Sequence, residues 1–128
     1  MKITRAHHIA IICSDYATSK DFYTRILGLP VISEVFREER SSYKLDLQIP
    51  GGTRIELFTI PGSPARPSYP EACGLRHLAF AVPDIGAAIA ELVAQGIAVE
   101  PVRIDPVTGR KFAFFADPDA LPLELYEE

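Results

Sequence analysis

The chain of 128 residues lacks most of the features that would move it out of the ordinary globular class. It has two cysteines, Cys13 and Cys73, too few for a disulfide framework. They read as free thiols in a reducing compartment. Cys13 sits inside an apolar run, and nothing near Cys73 marks it as a nucleophile. No stretch approaches the roughly 20 apolar residues of a membrane span. The N-terminus enters a strand-like pattern almost at once, without a basic region followed by an apolar signal core. A cytoplasmic protein is therefore expected. Basic residues are not in excess: 13 Lys and Arg against 17 Asp and Glu leave a formal net charge of −4. That balance argues against a nucleic-acid partner. The short basic groups, Arg37, Arg40 and Lys44, then Arg110 and Lys111, read either as solvated surface or as anchors for an anionic substrate group.

What is present is a repeat. His8 lies in His-His-Ile-Ala-Ile-Ile, and His77, 69 positions later, in Arg-His-Leu-Ala-Phe-Ala. Glu56 lies in Arg-Ile-Glu-Leu-Phe, and Glu124, 68 positions later, in Pro-Leu-Glu-Leu-Tyr. In the first copy, residues 5–13 alternate like a strand. Tyr16, Ser19, Phe22, Tyr23, Ile26 and Leu27 then follow helical spacing up to a stop at Gly28. Strands are expected at 31–37, 43–49 and 54–60. The second copy repeats the order: a strand at 75–82, a helix through Ile85, Ala88, Ile89, Leu92 and Val93 that closes at Gly96, and strands at 98–104, 111–116 and 121–126. Residues 61–74 contain four prolines and form a joint. The length fits one domain, 1–128, with module 1 at 1–60 and module 2 at 75–128. The fold class is α+β: two βαβββ modules forming a paired, curved mixed sheet around a cleft, with the helices outside.

Strand parity gives the four repeated residues a geometry. Each His occupies the same position on the first strand of its module, and each Glu the same position on the last. Ile55 and Leu57 flank Glu56 as Leu123 and Leu125 flank Glu124, so alternation sends the aliphatics to the packed face and the glutamates to the other. Two imidazoles and two carboxylates can hold Zn²⁺, Ni²⁺, Co²⁺, Mn²⁺ or Fe²⁺. His7 has the opposite parity and reads as a packing or hydrogen-bonding residue.

These motifs resemble the vicinal oxygen chelate superfamily of glyoxalase I, extradiol dioxygenases, methylmalonyl-CoA epimerase and antibiotic-resistance proteins. The carriers are His-Ile-Ala-Ile at 8–11, Phe-Tyr-Thr-Arg-Ile-Leu-Gly-Leu at 22–29, Ile-Glu-Leu at 55–57, His-Leu-Ala-Phe at 77–80 and Asp-Pro-Asp at 117–119. The resemblance implies a metal cleft and the ligand set His8, Glu56, His77 and Glu124, similar to bacterial glyoxalase I. It also implies a lyase of the carbon–sulfur type in which Glu124 or Glu56 doubles as the proton shuttle. Extradiol dioxygenases use two His and one Glu, so Glu56 disfavours that activity. Where bacterial glyoxalase I places an arginine and an asparagine for glutathione, this chain has Ile12 and Ile60, and it has no asparagine at all. A small α-oxygenated substrate other than the usual glutathione adduct is expected, with Arg37, Tyr43 and Arg76 as candidate contacts. The resemblance further implies a homodimer. The alternatives are a metal-dependent dioxygenase and a non-catalytic protein that sequesters a small molecule.

Overall fold

The duplicated element order is present in the computed structural model, which describes residues 1–128 as two units, Met1–Ala65 and Arg66–Glu128. The boundary falls inside the proline-rich joint.

In the first unit, β1 (His8–Ile12) leads into α1 (Tyr16–Asp21), followed by β2 (Val31–Arg37), β3 (Ser42–Gln48) and β4 (Arg54–Phe58). The sheet order is β1-β4-β3-β2: an antiparallel meander whose last strand pairs in parallel with β1. The Asp15 carboxylate caps α1 by accepting from the Thr18 N–H at 2.8 Å. After α1 the chain widens into a π-helical turn at Phe22–Ile26, closed by the Leu27 N–H on the Phe22 carbonyl. There the Thr24 hydroxyl bonds the Lys20 carbonyl, the acceptor that α-helical continuation would give to the Thr24 N–H. Gly28 ends the segment at φ +71°, where a Cβ would be strained. One sheet face is apolar: Leu45, Leu47, Ile55 and Leu57 are fully buried. Each such leucine or isoleucine contributes about 1.5–3 kcal/mol of burial.

The second unit repeats this with β5 (Leu78–Val82), α2 (Ile85–Ala94), β6 (Arg103–Ile104), β7 (Lys111–Ala116) and β8 (Pro122–Glu127), in the order β5-β8-β7-β6. Asp84 caps α2 through the Ala87 N–H at 2.9 Å, the device used by Asp15. α2 packs on β7 and β8, and Ile85, Leu92, Ala113, Phe115, Leu123 and Leu125 are buried. Four strands are shorter than expected: in the first unit β1 keeps His8–Ile12 of the 5–13 span and β4 ends at Phe58. β5 begins at Leu78, and β6 keeps only Arg103–Ile104 of the 98–104 span. The Glu100 N–H still bonds the Phe114 carbonyl at 2.8 Å, but Pro101 has no N–H to continue a ladder. No helix is long and apolar enough to cross a membrane.

Candidate metal centre

Each unit brings one His and one Glu together by the same register. Glu56 on β4 stands opposite Ala10 on β1, and Glu124 on β8 stands opposite Ala79 on β5. His8 and His77 lie two residues before those alanines, so period-two alternation returns each ring to the glutamate's face. His8 Nε2 is 3.7 Å from Glu56 Oε2, and His77 Nε2 is 2.8 Å from Glu124 Oε2. Two donors about 2.0–2.2 Å from one metal stand about 2.9–3.5 Å apart at octahedral to tetrahedral angles. The observed separations, 2.8 and 3.7 Å, fall just outside the two ends of that interval, and imidazole and carboxylate are donor types that divalent ions take. Within the single chain, no group of three or more His, Cys, Asp or Glu side chains stands at metal-binding spacing. The quartet is present as two pairs, one in each unit.

The surroundings of the pairs differ. Asp46 on β3 faces Glu56 directly, and two facing carboxylates repel. Lys44 relieves this: its Nζ is 2.8 Å from Asp46 Oδ1 and 3.4 Å from Glu56 Oε1. The hydrogen bond to Asp46 raises the Lys44 pKa above its ordinary value, burial opposes the shift, and the Glu56 charge adds to it. His8 has its second nitrogen tied as well, with Nδ1 2.9 Å from His7 Nδ1, so one ring donates and the other accepts. His7 thus holds the hydrogen-bonding place that its parity suggested. In the second unit Phe114 takes the position of Asp46, facing Glu124 and meeting the His77 ring edge-on at 5.0 Å. His77 Nδ1 is buried without a partner. Glu124 is also the more enclosed carboxylate, its side chain 11% exposed against 17% for Glu56.

The three candidate substrate contacts fall in different places. Arg37 pairs with Ser42, two residues from Lys44, and its guanidinium lies 5.0 Å from the Phe58 ring centroid, so it shares the Glu56 face. Arg76 lies over Phe114 at 5.9 Å, on the Glu124 side. Tyr43 has the parity of Leu45 and Leu47 and turns to the other face, where it stacks on Tyr16 at 4.0 Å. Ile12 and Ile60 are both half-exposed. Sequence reading did not single out Asp46, Arg103 or Phe114, and it took Lys44 only as one of a basic group. The signal was available, because the 68-residue offset that links the glutamates sets Lys44 against Phe112 and Asp46 against Phe114.

The chain is 58% identical over 128 residues to the uncharacterized protein YwkD of Bacillus subtilis, with all of both chains covered. Among solved structures, the glyoxalase family protein from Enterococcus faecalis matches at 51% identity and a TM-score of 0.91, covering 99% of this chain and all of the other. The trypanothione-dependent glyoxalase I of Leishmania major matches at 26% identity and a TM-score of 0.74, covering 98% of this chain and 88% of the other. The profile of the Glyoxalase/Bleomycin resistance protein/Dioxygenase superfamily matches residues 5–125, and the paired βαβββ units are the fold of that group: the chain belongs to this superfamily.

Proposed function

We propose that His8, Glu56, His77 and Glu124 together hold one divalent ion, Ni²⁺, Co²⁺, Zn²⁺, Mn²⁺ or Fe²⁺, and that the protein is a glyoxalase-like lyase or isomerase acting on a small α-oxygenated substrate. The observation that carries this reading is the recurrence of one His–Glu pair at one register in both units, each pair within a few tenths of an ångström of the spacing of two donors on one ion. The likeness to glyoxalase I of Leishmania major supports the reaction class.

Such an ion, when bound, would polarise a substrate carbonyl and lower the cost of removing a neighbouring proton. The rest falls to the chain. Lys44 pairs with one oxygen of Glu56 at 3.4 Å and holds that carboxylate in place. Glu124 Oε2 is 2.8 Å from His77 Nε2, and no lysine or arginine is paired with this carboxylate. Glu124, with no cation paired to it, is therefore the group that takes the substrate proton and returns it to the adjacent carbon. Arg37 and Arg76 are placed to orient the substrate. Ile12 and Ile60 offer apolar contacts, which suits a substrate other than the usual glutathione adduct. A symmetric homodimer then holds two sites, whether the pairs meet within one chain or across two. Cys13 and Cys73 form no disulfide, in keeping with a cytoplasmic protein.

The test is deuterium exchange into an enolisable hemithioacetal or 2-oxo compound, followed by NMR on metal-loaded protein. Glu124→Gln is expected to slow exchange by about 10²–10⁴-fold. Exchange at the wild-type rate in a Glu124→Gln protein that retains its metal would overturn the assignment of the base. Ligand binding without exchange in the wild type would point instead to a non-catalytic binder.

A further inference from the structure

The second unit carries a cavity of about 450 Å³ lined by Tyr69, Arg76, Glu100, Arg103 and Phe114, among others. Two features make it more than a surface dent. The guanidiniums of Arg76 and Arg103 lie over the same ring, Phe114, at 5.9 and 5.2 Å, and Arg103 also lies over Phe112 at 5.2 Å. A guanidinium stacked on an aromatic face is held in place with its N–H donors directed outward in its own plane. Those donors are barely used. The Arg76 side chain has no acidic partner, and Arg103 makes one bond, from Nη2 to Glu100 Oε2 at 3.3 Å, with both side chains more than half exposed. Such an exposed pair is worth at most about 1 kcal/mol and yields readily to a better acceptor.

Two cations against one carboxylate leave the cavity a net positive charge. The ring beneath both guanidiniums is the ring that meets His77 and faces Glu124. We infer that this cavity is the recognition site for an oxyanion, a carboxylate or phosphate, at the end of the substrate remote from the reacting carbon. Arg76 and Arg103 take the oxyanion by charge-assisted hydrogen bonds. Phe114 spaces it from the His77–Glu124 pair, so the reacting end of a short molecule meets Glu124. This rests on the proposed role of that pair, but the oxyanion contact itself does not need the metal. Arg76 and Arg103 are thus specificity residues with no part in proton transfer. The first unit has no counterpart, since His7 and Val35 stand at the equivalent positions.

Phenyl phosphate and benzoate, with benzyl alcohol as the neutral control, are the probes. Their affinities are measured by titration calorimetry, with and without chelator. The oxyanions are expected to bind and the alcohol not to. Arg76→Gln and Arg103→Gln should each weaken binding by about tenfold or more, the scale of one charge-assisted contact. Glu100→Gln should tighten it, because the competing carboxylate is gone. Opposite signs from neighbouring substitutions cannot arise from misfolding. The tighter of the two oxyanions identifies a phosphate or a carboxylate substrate. Absence of oxyanion binding, or affinities that ignore both arginine substitutions, overturns the proposal. Binding that is lost on chelation but indifferent to Arg76 and Arg103 also overturns it, by placing the anion at the metal. Metal content, read separately, shows whether the metal reading fails.

Discussion

The two His–Glu pairs share a scaffold and differ in what stands one strand away. Opposite Glu56 is Asp46, and Lys44 bridges the two carboxylates. Opposite Glu124 is Phe114, beneath two arginines. The two units thus repeat the His–Glu register and differ at the neighbouring positions of β3 and β7. A lysine-clamped carboxylate suits a fixed ligand. A carboxylate with no cation paired to it, beside a ring and a cationic cavity, suits the group that works on substrate. On the proposed reading Glu56 holds and Glu124 reacts, although the four donors look alike in the sequence.

The comparison breaks first if the scaffolds are unequal. Leu57→Ala and Leu125→Ala remove equivalent side chains from the two apolar faces, one fully buried and one 5% exposed. Each is expected to cost about 2–5 kcal/mol in urea unfolding. A trivial cost for one of them would show that its unit carries little of the stability.

Lys44→Met sharpens it. The change leaves Asp46 and Glu56 facing each other without a cation, at a cost of about 1–3 kcal/mol. Adding Asp46→Asn should recover most of the loss, and Phe112→Leu, at the equivalent position in the second unit, should cost less. Equal costs at the two positions would mean that Lys44 contributes through packing alone.

The smallest effect is confined to the first unit. Lys20 and then Tyr16 hold Glu34 below its ordinary carboxylate value, while burial first and Glu34 second raise the Tyr16 phenol. The Glu34 contribution is present above its unfolded value and lost as the pH falls through the lower folded one. The Tyr16 contribution is present below the ordinary phenol value and lost as the pH rises through the higher folded one. Both are complete between about pH 5 and pH 9. Glu34→Gln should flatten the acid limb of a plot of Tm against pH, and Tyr16→Phe the alkaline limb. Each should change stability by no more than about 1 kcal/mol, since Glu34 is exposed and Tyr16 only partly buried. Unchanged limbs in both variants would remove this network from the stability of the unit.

Much of the architecture was legible because local signals and burial agree. Asp15 and Asp84 cap, Gly28 and Gly96 stop, and isoleucine and leucine alternate about each glutamate. The misses have local causes. The 98–104 run looked like a full strand, but Pro101 cannot donate to a ladder, and the paired part reduces to Arg103–Ile104. Tyr43 looked like a substrate contact, yet its parity with Leu45 and Leu47 places it across the sheet from Glu56. Arg103 and Phe114 escaped notice because their meaning lies in stacking between strands, which a one-dimensional pattern carries only through the 68-residue offset.

Metal stoichiometry tests the shared site most directly. The protein and its His8→Ala and His77→Ala variants are dialysed against limiting Ni²⁺ or Co²⁺, and bound metal is measured by plasma mass spectrometry. If both pairs grip one ion, the wild type binds one equivalent per chain and either substitution releases it, whether the pairs meet within a chain or between chains. Retention of a full equivalent by either variant would mean that the pairs act separately, and would contradict the shared site.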